Sequence, residues 1–371
     1  MINKKKKIII AMSGGVDSSI TAWLLKKQNY IVEGLFMKNW EENDNKKYCS
    51  SKKNLKDVKK ICKKLKIYLH KINFSYEYWN KVFKKFLKEY KKGNTPNPDI
   101  LCNQKIKFKI LLKYSINILK ADYLATGHYA INKNINNKNF LYRGLDLNKD
   151  QTYFLYTLNY KKIKKIYFPL GFLTKKIIKK IANKKKFLVA NKKSSTGICF
   201  IEPKNFKNFL KKYISKKKGK IFTIFGKNIG FHEGVSFYTI GQRKGMKIGG
   251  IKNFKNSSWY IIDKNIKKNI LIVSQGKNNI YLKSYGFIIK NICWFNCKIL
   301  KKKFFCNVQI RYRMSSIKCN LFPINNKKIK VILYHSLISV TLGQSAVFYK
   351  FNCCIGGGII EKVFLINNVK Y

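Results

Sequence analysis

The sequence predicts a doubly wound α/β domain with a parallel sheet, then a small linking domain and a C-terminal antiparallel β-barrel. In the first half of the 371 residues, strand-like apolar runs alternate with helix-periodic segments. After about Lys216, short strand-like runs with glycine punctuation replace them, and from about Ser284 the runs alternate apolar and polar residues. The predicted domain boundaries are therefore 1–205, 206–280 and 281–371.

The strand-like runs of the first domain are short and apolar, which is typical of buried strands in a parallel sheet. In order, these strands are residues 7–12, Ile31–Met37, Ile67–Ile72 and Tyr123–Thr126. The predicted helices are Ser18–Lys27, Leu55–Leu65, Lys105–Leu119 and Thr174–Asn183. A ligand of such a fold is expected at the carboxyl ends of the strands.

The later segments have strand character only. In the linking domain the predicted strands are Gly219–Phe222, Gly230–His232 and Trp259–Asp263. In the last domain, Cys306–Arg313 and Ile329–Tyr334 alternate as strands do, which is typical of an antiparallel barrel, with a sandwich as the alternative.

The net charge of +63 indicates RNA binding only weakly. Of the 79 basic residues four are arginines, and the abundant residue types (Lys, Asn, Ile, Tyr and Phe) are all encoded by A/T-rich codons. Compositional drift would therefore produce much of the charge without selection for RNA. Residues that oppose this drift are more informative, and the arginines are Arg143, Arg243, Arg311 and Arg313.

The ten cysteines are predicted to be reduced, because the chain has neither an evident signal peptide nor a run long enough to span a membrane. A cytoplasmic protein is expected, in which a functional cysteine pair would be catalytic or redox-active. Cys293, Cys297, Cys353 and Cys354 do not have the spacing of a zinc site, so we expect core residues there and no metal site.

Residues 13–19, SGGVDSS, are the strongest chemical signal and lie between a predicted strand and a predicted helix. Paired glycines allow a close approach of the backbone to an anion, and N–H groups and hydroxyls at a helix start bind phosphate. An ordinary capped turn needs one such polar residue, whereas this segment has three serines and an aspartate. The segment lacks the Gly-Lys-Ser/Thr ending of a Walker A loop.

Two neighbouring strand ends carry further candidates. Met37 ends the second strand, where an adenine contact and a core methionine are about equally compatible with the residues alone. Gly127, after the Tyr123–Thr126 strand, allows a ligand to approach, and His128 and Tyr129 follow it. A histidine in this position is more often structural than functional.

Cys102 follows a stiff polar loop, TPNPD, that begins at Thr95. Since a helix is expected to start near Lys105, with Lys107 beyond it, the Cys102 thiol is expected to have a lowered pKa. The alternative is a small buried apolar residue. Cys199 lies in a turn of small residues, SSTGICF, and with Cys102 forms a candidate dithiol pair.

Several later segments are candidates for RNA contact. Lys149, Asp150 and Gln151 precede an apolar segment, where helix capping is the alternative. The glycine-rich segment 231–245 resembles an RNA-contact loop, with a hairpin as the alternative. Arg311, Tyr312 and Arg313 are expected on a strand, with both arginines on one face.

Together these segments resemble the bacterial-type tRNA-specific 2-thiouridylase family of the ATP pyrophosphatase superfamily. The motifs SGGVDSS, GLFMKNW, TPNPDILCN, TGHYA, KDQTYFL, STGIC, YTIGQRKG, RYR and GQSAVFY run in family order over nearly the whole chain. The first domain would then be adenine nucleotide alpha-hydrolase-like. Lysine replaces arginine widely, which weakens bidentate phosphate contacts.

The resemblance implies a role for each candidate residue. The ATP-binding residues would be Ala11, Met12, Ser13, Gly14, Gly15, Val16, Asp17, Ser18, Met37 and Gly127. The residues that contact the target base would be Asn97, Pro98 and Asp99. The residues that contact tRNA would be His128, Lys149, Asp150, Gln151, Arg311, Tyr312 and Gln344. Cys199 would carry a persulfide, and Cys102 would be the nucleophile that resolves it.

The reaction implied is thiolation of the wobble uridine, with ATP and Mg²⁺ as a substrate complex and no prosthetic group. The partners would be tRNA, a sulfur donor (a cysteine desulfurase or a relay protein) and a reductant for a Cys102–Cys199 disulfide. Two alternatives stay open: a lysidine synthetase-like enzyme, which needs no thiol pair, and a non-enzymatic RNA-binding protein with a decayed ATP site.

Overall fold

The computed structural model describes residues 5–41, 50–192, 206–249, 251, 254–295 and 302–367. Cys199, together with its turn, lies outside these described residues, as does Cys297. The first domain, the linking unit and the C-terminal unit each contain one sheet or barrel.

The first sheet is parallel, in the order β3-β2-β1-β4-β7. Its strands are β1 (Lys7–Met12), β2 (Ile31–Lys38), β3 (Leu69–Asn73), β4 (Tyr123–Ala125) and β7 (Ile166–Tyr167). The strand order reverses at β1, because β2 lies on one side and β4 on the other. The carboxyl ends of β1 and β4 therefore flank the crevice where doubly wound folds bind ligands.

Helices cover both faces of this sheet. In β1, Ile9 packs into one buried cluster, whereas Ile8 and Ile10 pack into another. The helices are α1 (Val16–Lys27), α2 (Ser50–Leu65), α3 (Ser75–Tyr78), α4 (Lys84–Lys91), α5 (Pro98–Cys102), α6 (Tyr160–Ile163) and α7 (Lys175–Lys184). Wider π-helical segments are Trp79–Phe83, Asn103–Leu111 and Tyr114–Ile118, and Thr152–Phe154 is a 3-10 turn. The predicted doubly wound architecture is confirmed.

The linking unit starts with α8 (Phe206–Leu210) and has a four-stranded sheet in the order β10-β11-β8-β9. Its strands are β8 (Gly219–Thr223), β9 (Asn228–His232), β10 (Trp259–Asn265) and β11 (Ile270–Gln275). Val235–Phe237 and Ile280–Leu282 form 3-10 turns.

The C-terminal unit is a closed antiparallel barrel, because β12 pairs with both β15 and β17. The barrel strands are β12 (Lys283–Trp294), β13 (Phe304–Gln309), β14 (Ile317–Asn325), β15 (Lys328–Ile338), β16 (Ser345–Lys350) and β17 (Cys353–Leu365). The sandwich alternative is excluded by this closure. A hairpin of the first domain, β5 (Ala130–Ile135) and β6 (Lys138–Arg143), adds to the sheet through β17.

Among the described residues, no helix is long and apolar enough to cross a membrane. Cys354 is fully buried, and Cys293 and Cys353 are half-buried beside the core, as predicted for core cysteines.

Candidate active site

The predicted phosphate loop, residues 13–18, connects the end of β1 to the first turn of α1. Gly14 has a φ of +74°, and a Cβ there would lie 2.7 Å from the Asn54 carbonyl oxygen, so glycine is required. The Ser18 hydroxyl accepts from the Ser13 backbone N–H at 3.2 Å and donates to the Gly15 carbonyl at 3.1 Å. These bonds fix the loop around the start of α1, as an anion site needs.

Gly127 lies directly against this loop. A Cβ on Gly127 would be 2.9 Å from the Ser18 backbone nitrogen, so only glycine allows the β4 end to come this close. Met37 lies half-buried at the end of β2, on the other side of β1. The structure thus brings the predicted loop residues, Met37 and Gly127 together at the carboxyl edge of the sheet.

The Asp17 carboxylate lies at the first turn of α1 and is held by two side chains: Tyr129, a sequence candidate for contact with a base or phosphate, and Lys175, which the sequence did not single out. Lys175 Nζ lies 2.6 Å from Asp17 Oδ1, and the Tyr129 hydroxyl donates to the same oxygen at 2.7 Å. Burial, and then the Asp17 charge, raise the pKa of Tyr129, so this phenol stays a donor. Asp17 Oδ2 accepts no hydrogen bond from the described residues, and the side chain is 30% exposed. A carboxylate oxygen of this kind suits Mg²⁺ carried by a nucleotide.

A second lysine, Lys192, holds the loop from the side of α2. Lys192 Nζ donates to the Gly14 carbonyl at 2.8 Å, to Asn54 Oδ1 at 2.8 Å and to Asp57 Oδ2 at 2.7 Å. Three acceptors around one ammonium define its position, so Lys192 ties the loop to α2. The abundance of lysine in the sequence hid both Lys175 and Lys192, since neither lies in a recognisable motif.

His128 lies beside the loop in a neutral form. Its Nδ1 is 2.8 Å from Thr126 Oγ1, and burial together with the Lys107 charge lowers its pKa well below the usual value. Its ring packs 5.8 Å from the ring of Phe108. Since Phe108 follows Cys102 by six residues, this contact ties the Cys102 segment to the β4 end.

Cys102 lies inside a helix, and the prediction that a helix begins near Lys105 was wrong. The helix begins at Pro98, because Asn97 Oδ1 accepts from the backbone N–H groups of Asp99 and Ile100 and Pro98 takes the first helical position. Cys102 is 2% exposed, in the second turn of this helix. The expected effect of a helix N-terminus on its thiol therefore has no geometric basis.

Two of the predicted base-contact residues form the start of this helix. Asn97 is its N-cap and Pro98 its first residue, whereas Asp99 is half-buried in the first turn. Burial raises the pKa of Asp99, although the Lys107 charge opposes this. The Asn103 side chain, next to Cys102, donates to the Phe154 carbonyl at 3.0 Å. The Cys102 helix is thus anchored at both ends.

The segment with Lys149, Asp150 and Gln151 forms part of the domain junction. Asp150 is 4% exposed, and its carboxylate accepts from Arg143, from the Thr152 hydroxyl and from two backbone N–H groups. The Gln151 amide oxygen accepts from the Tyr129 N–H at 3.0 Å. Asp150 is a buried acceptor and not a helix cap, because the turn Thr152–Phe154 has Gln151 at its N-cap position, without a side-chain hydrogen bond. Lys149 is half-buried.

Arg143 joins the first domain to the barrel, a role that the sequence did not reveal. Its guanidinium lies 2.9 Å from Asp150 Oδ2 and 3.1 Å from Gln309 Oε1, and it stacks 3.6 Å from the Tyr349 ring centroid. The one sequence signal was its rarity, as one of four arginines in a lysine-rich chain.

The prediction that Arg311, Tyr312 and Arg313 alternate on a strand was wrong. Strand β13 ends at Gln309, and Arg313 has a φ of 64°, so the three residues form a turn. The Arg311 guanidinium donates to the Ser339 carbonyl, and the Tyr312 ring packs 4.6 Å from Phe154. This turn therefore lies next to the 152–154 segment.

The loop with Gln344 lies against the loop that precedes Asn97. The Thr95 N–H donates to the Leu342 carbonyl at 2.8 Å, and the Thr95 hydroxyl is 3.2 Å from that of Thr239. All three domains thus meet at Thr95. Gln344 itself is half-buried, and its Oε1 has no hydrogen-bond partner in the described parts of the chain.

The glycine-rich segment 231–245 ends in a tight turn with an exposed arginine. Gly241 N–H donates to the Ile261 carbonyl at 2.7 Å, and Arg243 is exposed beyond it. A cavity of about 900 Å³ beside this turn is lined in part by Arg243, Lys247 and Trp259. Within the described ranges, no group of three or more His, Cys, Asp or Glu side chains forms a metal site.

Three family models match consecutive parts of the chain. A tRNA methyl transferase HUP domain matches residues 6–203, a tRNA methyl transferase PRC-barrel domain matches 207–275, and an aminomethyltransferase beta-barrel domain matches 284–360. These matches follow the order of the parallel sheet, the linking unit and the barrel.

Curated relatives match over almost the full length. The chain is 61% identical to tRNA-specific 2-thiouridylase MnmA of Buchnera aphidicola subsp. Acyrthosiphon pisum, with 98% of each chain covered. It is 51% identical to the protein of the same name from Blochmanniella floridana, with 98% of this chain and 99% of that one covered. It is 50% identical to the one from Photorhabdus laumondii, with 97% and 98% covered.

Proposed function

Because this chain belongs to the tRNA-specific 2-thiouridylase family, we propose that it replaces the C2 oxygen of a wobble uridine in tRNA with sulfur, using ATP. The observation that carries the proposal is the loop of residues 13–18 packed against Gly127 at the β1–β4 crevice. An ATP site at this place is what activation of the uridine requires.

The reaction begins with attack of the uridine O2 on the α-phosphorus of ATP. The bond from that phosphorus to the bridging oxygen breaks, and pyrophosphate leaves with the electron pair. The loop N–H groups and the Asp17 carboxylate, through Mg²⁺, are suited to bind the phosphates. Met37 and Gly127 complete the nucleotide site, and the uridine leaves its stack to reach it.

Sulfur transfer then uses the two cysteines. In one route the terminal sulfur of a Cys199 persulfide bonds to C2 and AMP leaves with O2; Cys102 then attacks the Cys199 sulfur, which breaks the S–S bond and leaves the terminal sulfur on C2. In the other route Cys102 attacks the Cys199 sulfur first, and the sulfide that is released bonds to C2 and displaces AMP. A Cys102–Cys199 disulfide remains and needs a reductant. The persulfide sulfur comes from a cysteine desulfurase or a relay protein. In this proposal the protein works in the cytoplasm, and the three domains are 1–205, 206–280 and 281–371.

The tRNA contacts in this proposal are His128, Lys149, Gln151, Arg311, Tyr312 and Gln344, with Asn97, Pro98 and Asp99 at the target base. Lys149 is half-buried shortly before the 152–154 turn, and Arg311 and Tyr312 lie beside that turn, which supports one continuous contact region. We assign Asp150 to the same region as a residue that shapes the segment, since its carboxylate is buried.

The proposal is tested by incubating the protein with unmodified tRNA, ATP, magnesium, a cysteine desulfurase and cysteine. Mass spectrometry of the digested tRNA should show 2-thiouridine that depends on ATP. The Cys199→Ser variant should lose thiolation completely and keep its affinity for ATP. The control is Cys319→Ser, a fully buried barrel cysteine, which should keep thiolation whenever it folds.

Two results would contradict the proposal. Full thiolation by a Cys102→Ser/Cys199→Ser double variant would remove the thiol pair from the mechanism and favour a lysidine synthetase-like reaction. A failure to convert ATP to AMP with tRNA and the sulfur donor present would favour an RNA-binding protein without catalysis.

A further inference from the structure

The Asp17 carboxylate is held asymmetrically. Both donors, the Lys175 ammonium at 2.6 Å and the Tyr129 hydroxyl at 2.7 Å, bind Oδ1, and none among the described residues binds Oδ2. The donors are buried, with Lys175 8% and Tyr129 3% exposed, whereas the Asp17 side chain is 30% exposed. One oxygen is therefore fixed from the protein side, and the other stays available.

The backbone of Tyr129 is itself held by two hydrogen bonds with Gln151. Its N–H donates to Gln151 Oε1 at 3.0 Å, and its carbonyl accepts from the Gln151 N–H at 2.9 Å. Asp150, the preceding residue, is bonded to Arg143 at the barrel junction. The hydroxyl thus reaches Asp17 from a rigid support that extends to another domain.

We propose that Tyr129 is a positioning residue for the metal–nucleotide complex: its hydroxyl holds Asp17 by Oδ1, so that Oδ2 is presented to a magnesium ion entering with ATP. This inference rests on the proposed function and adds a residue that works through Asp17. Mg²⁺ demands nearly ideal octahedral geometry, so a carboxylate fixed in advance binds it better than one that rotates freely.

A purely structural role of Tyr129 makes a different prediction. A buried tyrosine hydroxyl that only stabilises the fold would, when removed, lower the unfolding temperature and leave the metal dependence of ATP binding unchanged. Tyr156 offers the matched control, because it is 2% exposed and its hydroxyl is 3.1 Å from Ser345 Oγ, in contact with the barrel.

The experiment measures ATP binding by calorimetry over a magnesium series, without tRNA or a sulfur donor. Tyr129→Phe keeps the ring and removes one charge-assisted hydrogen bond, so we expect the magnesium concentration for half-maximal tight binding to rise about tenfold. Binding of ATP in EDTA should change less than about twofold. Tyr156→Phe should leave the magnesium dependence as it is in the unaltered protein.

A double-mutant cycle with Asp17→Asn tests whether Tyr129 affects magnesium dependence through Asp17. If Tyr129 acts through Asp17, Tyr129→Phe should cause no further change in magnesium dependence in the Asp17→Asn background. A persisting tenfold shift there, or an equal shift in Tyr156→Phe, would overturn the positioning role. An unchanged magnesium dependence in Tyr129→Phe would overturn it as well and leave the proposed function intact. Lack of ATP binding by the unaltered protein would overturn both.

Discussion

At the scale of single residues, neighbouring groups determine the protonation states of side chains in the site. His128 is the clearest case, because burial and the Lys107 charge both disfavour its protonated form. A neutral imidazole can donate one hydrogen bond and accept another. In His128, Nδ1 is hydrogen-bonded to Thr126 Oγ1. None of the described residues forms a hydrogen bond with the other ring nitrogen, Nε2.

The lowered pKa of His128 predicts a loss of stability on acidification. The unfolded chain binds a proton at this residue below about pH 6.5, whereas the folded protein does so only at lower pH. The free energy of unfolding should therefore decrease as the pH falls below about 6.5, by up to about 1.4 kcal/mol per pH unit from this residue. Urea unfolding at several pH values would measure this slope.

In His128→Gln the decrease below pH 6.5 should be shallower by that amount. An identical slope in His128→Gln and the unaltered protein would contradict the role of His128.

At the scale of elements, the short helix α5 brings Cys102, which we propose as a catalytic thiol, close to the predicted base-contact residues. Asn97 caps it through two backbone N–H groups, and Pro98 adds a fixed φ at the first position. Cys102 follows in the second turn, so its position depends on where the helix begins. A change at the cap is therefore expected to affect the position of Cys102 as well as the predicted base contact.

Substitutions at Asn97 separate these two roles. Asn97→Asp keeps an oxygen acceptor and should keep the free energy of unfolding, whereas Asn97→Ala should lower it by about 1 kcal/mol. If Asn97 also contacts the uridine, both variants should lose thiolation rate, since neither retains the amide. Thermal unfolding and single-turnover thiolation measure the two effects.

A capping variant at another helix provides the comparison. Thr174 caps α7 through a hydrogen bond to the Ile177 N–H, so Thr174→Ala should cost similar stability. A normal thiolation rate in Asn97→Asp would exclude the base contact and leave Asn97 as a cap only.

At the scale of the whole molecule, one of the four arginines joins two domains. Arg143 is enclosed by Asp150, Gln309 and Tyr349 and joins the first domain to the barrel. Its planar guanidinium donates in two directions while it stacks on an aromatic ring, which an ammonium does not reproduce. This is a place where drift towards lysine has a structural cost.

Arg143→Lys should therefore destabilise the protein by about 1–3 kcal/mol, and Arg143→Met by about 3–5 kcal/mol, because the methionine leaves a buried carboxylate unpaired. The unfolding midpoint in urea measures the loss. Arg243→Lys is the control, since Arg243 is exposed and should change stability by less than about 0.5 kcal/mol. Equal midpoints for Arg143→Lys and the unaltered protein would show that the junction does not need a guanidinium.

The local sequence determined much of this protein by itself. Apolar runs and glycines predicted the parallel sheet, the phosphate loop and its place at the end of β1, because strand burial and loop conformation depend on neighbouring residues. The two cysteine motifs predicted a thiol pair, although Cys199 lies outside the described residues. The loop and the Cys102 segment are local sequence motifs, and they remain recognisable despite the high lysine content.

The tertiary structure decided what the sequence order could not. Lys175 and Tyr129 meet Asp17 from positions 158 and 112 residues away along the chain, and no periodicity encodes such contacts. The turn at Arg311 and the burial of Asp150 were missed for the same reason. Arg311 bonds to the carbonyl of Ser339, 28 residues away, and Arg143, the partner of Asp150, also bonds to Gln309 of the barrel. Contacts between distant segments form only when the chain folds, so their partners cannot be read from local residue patterns.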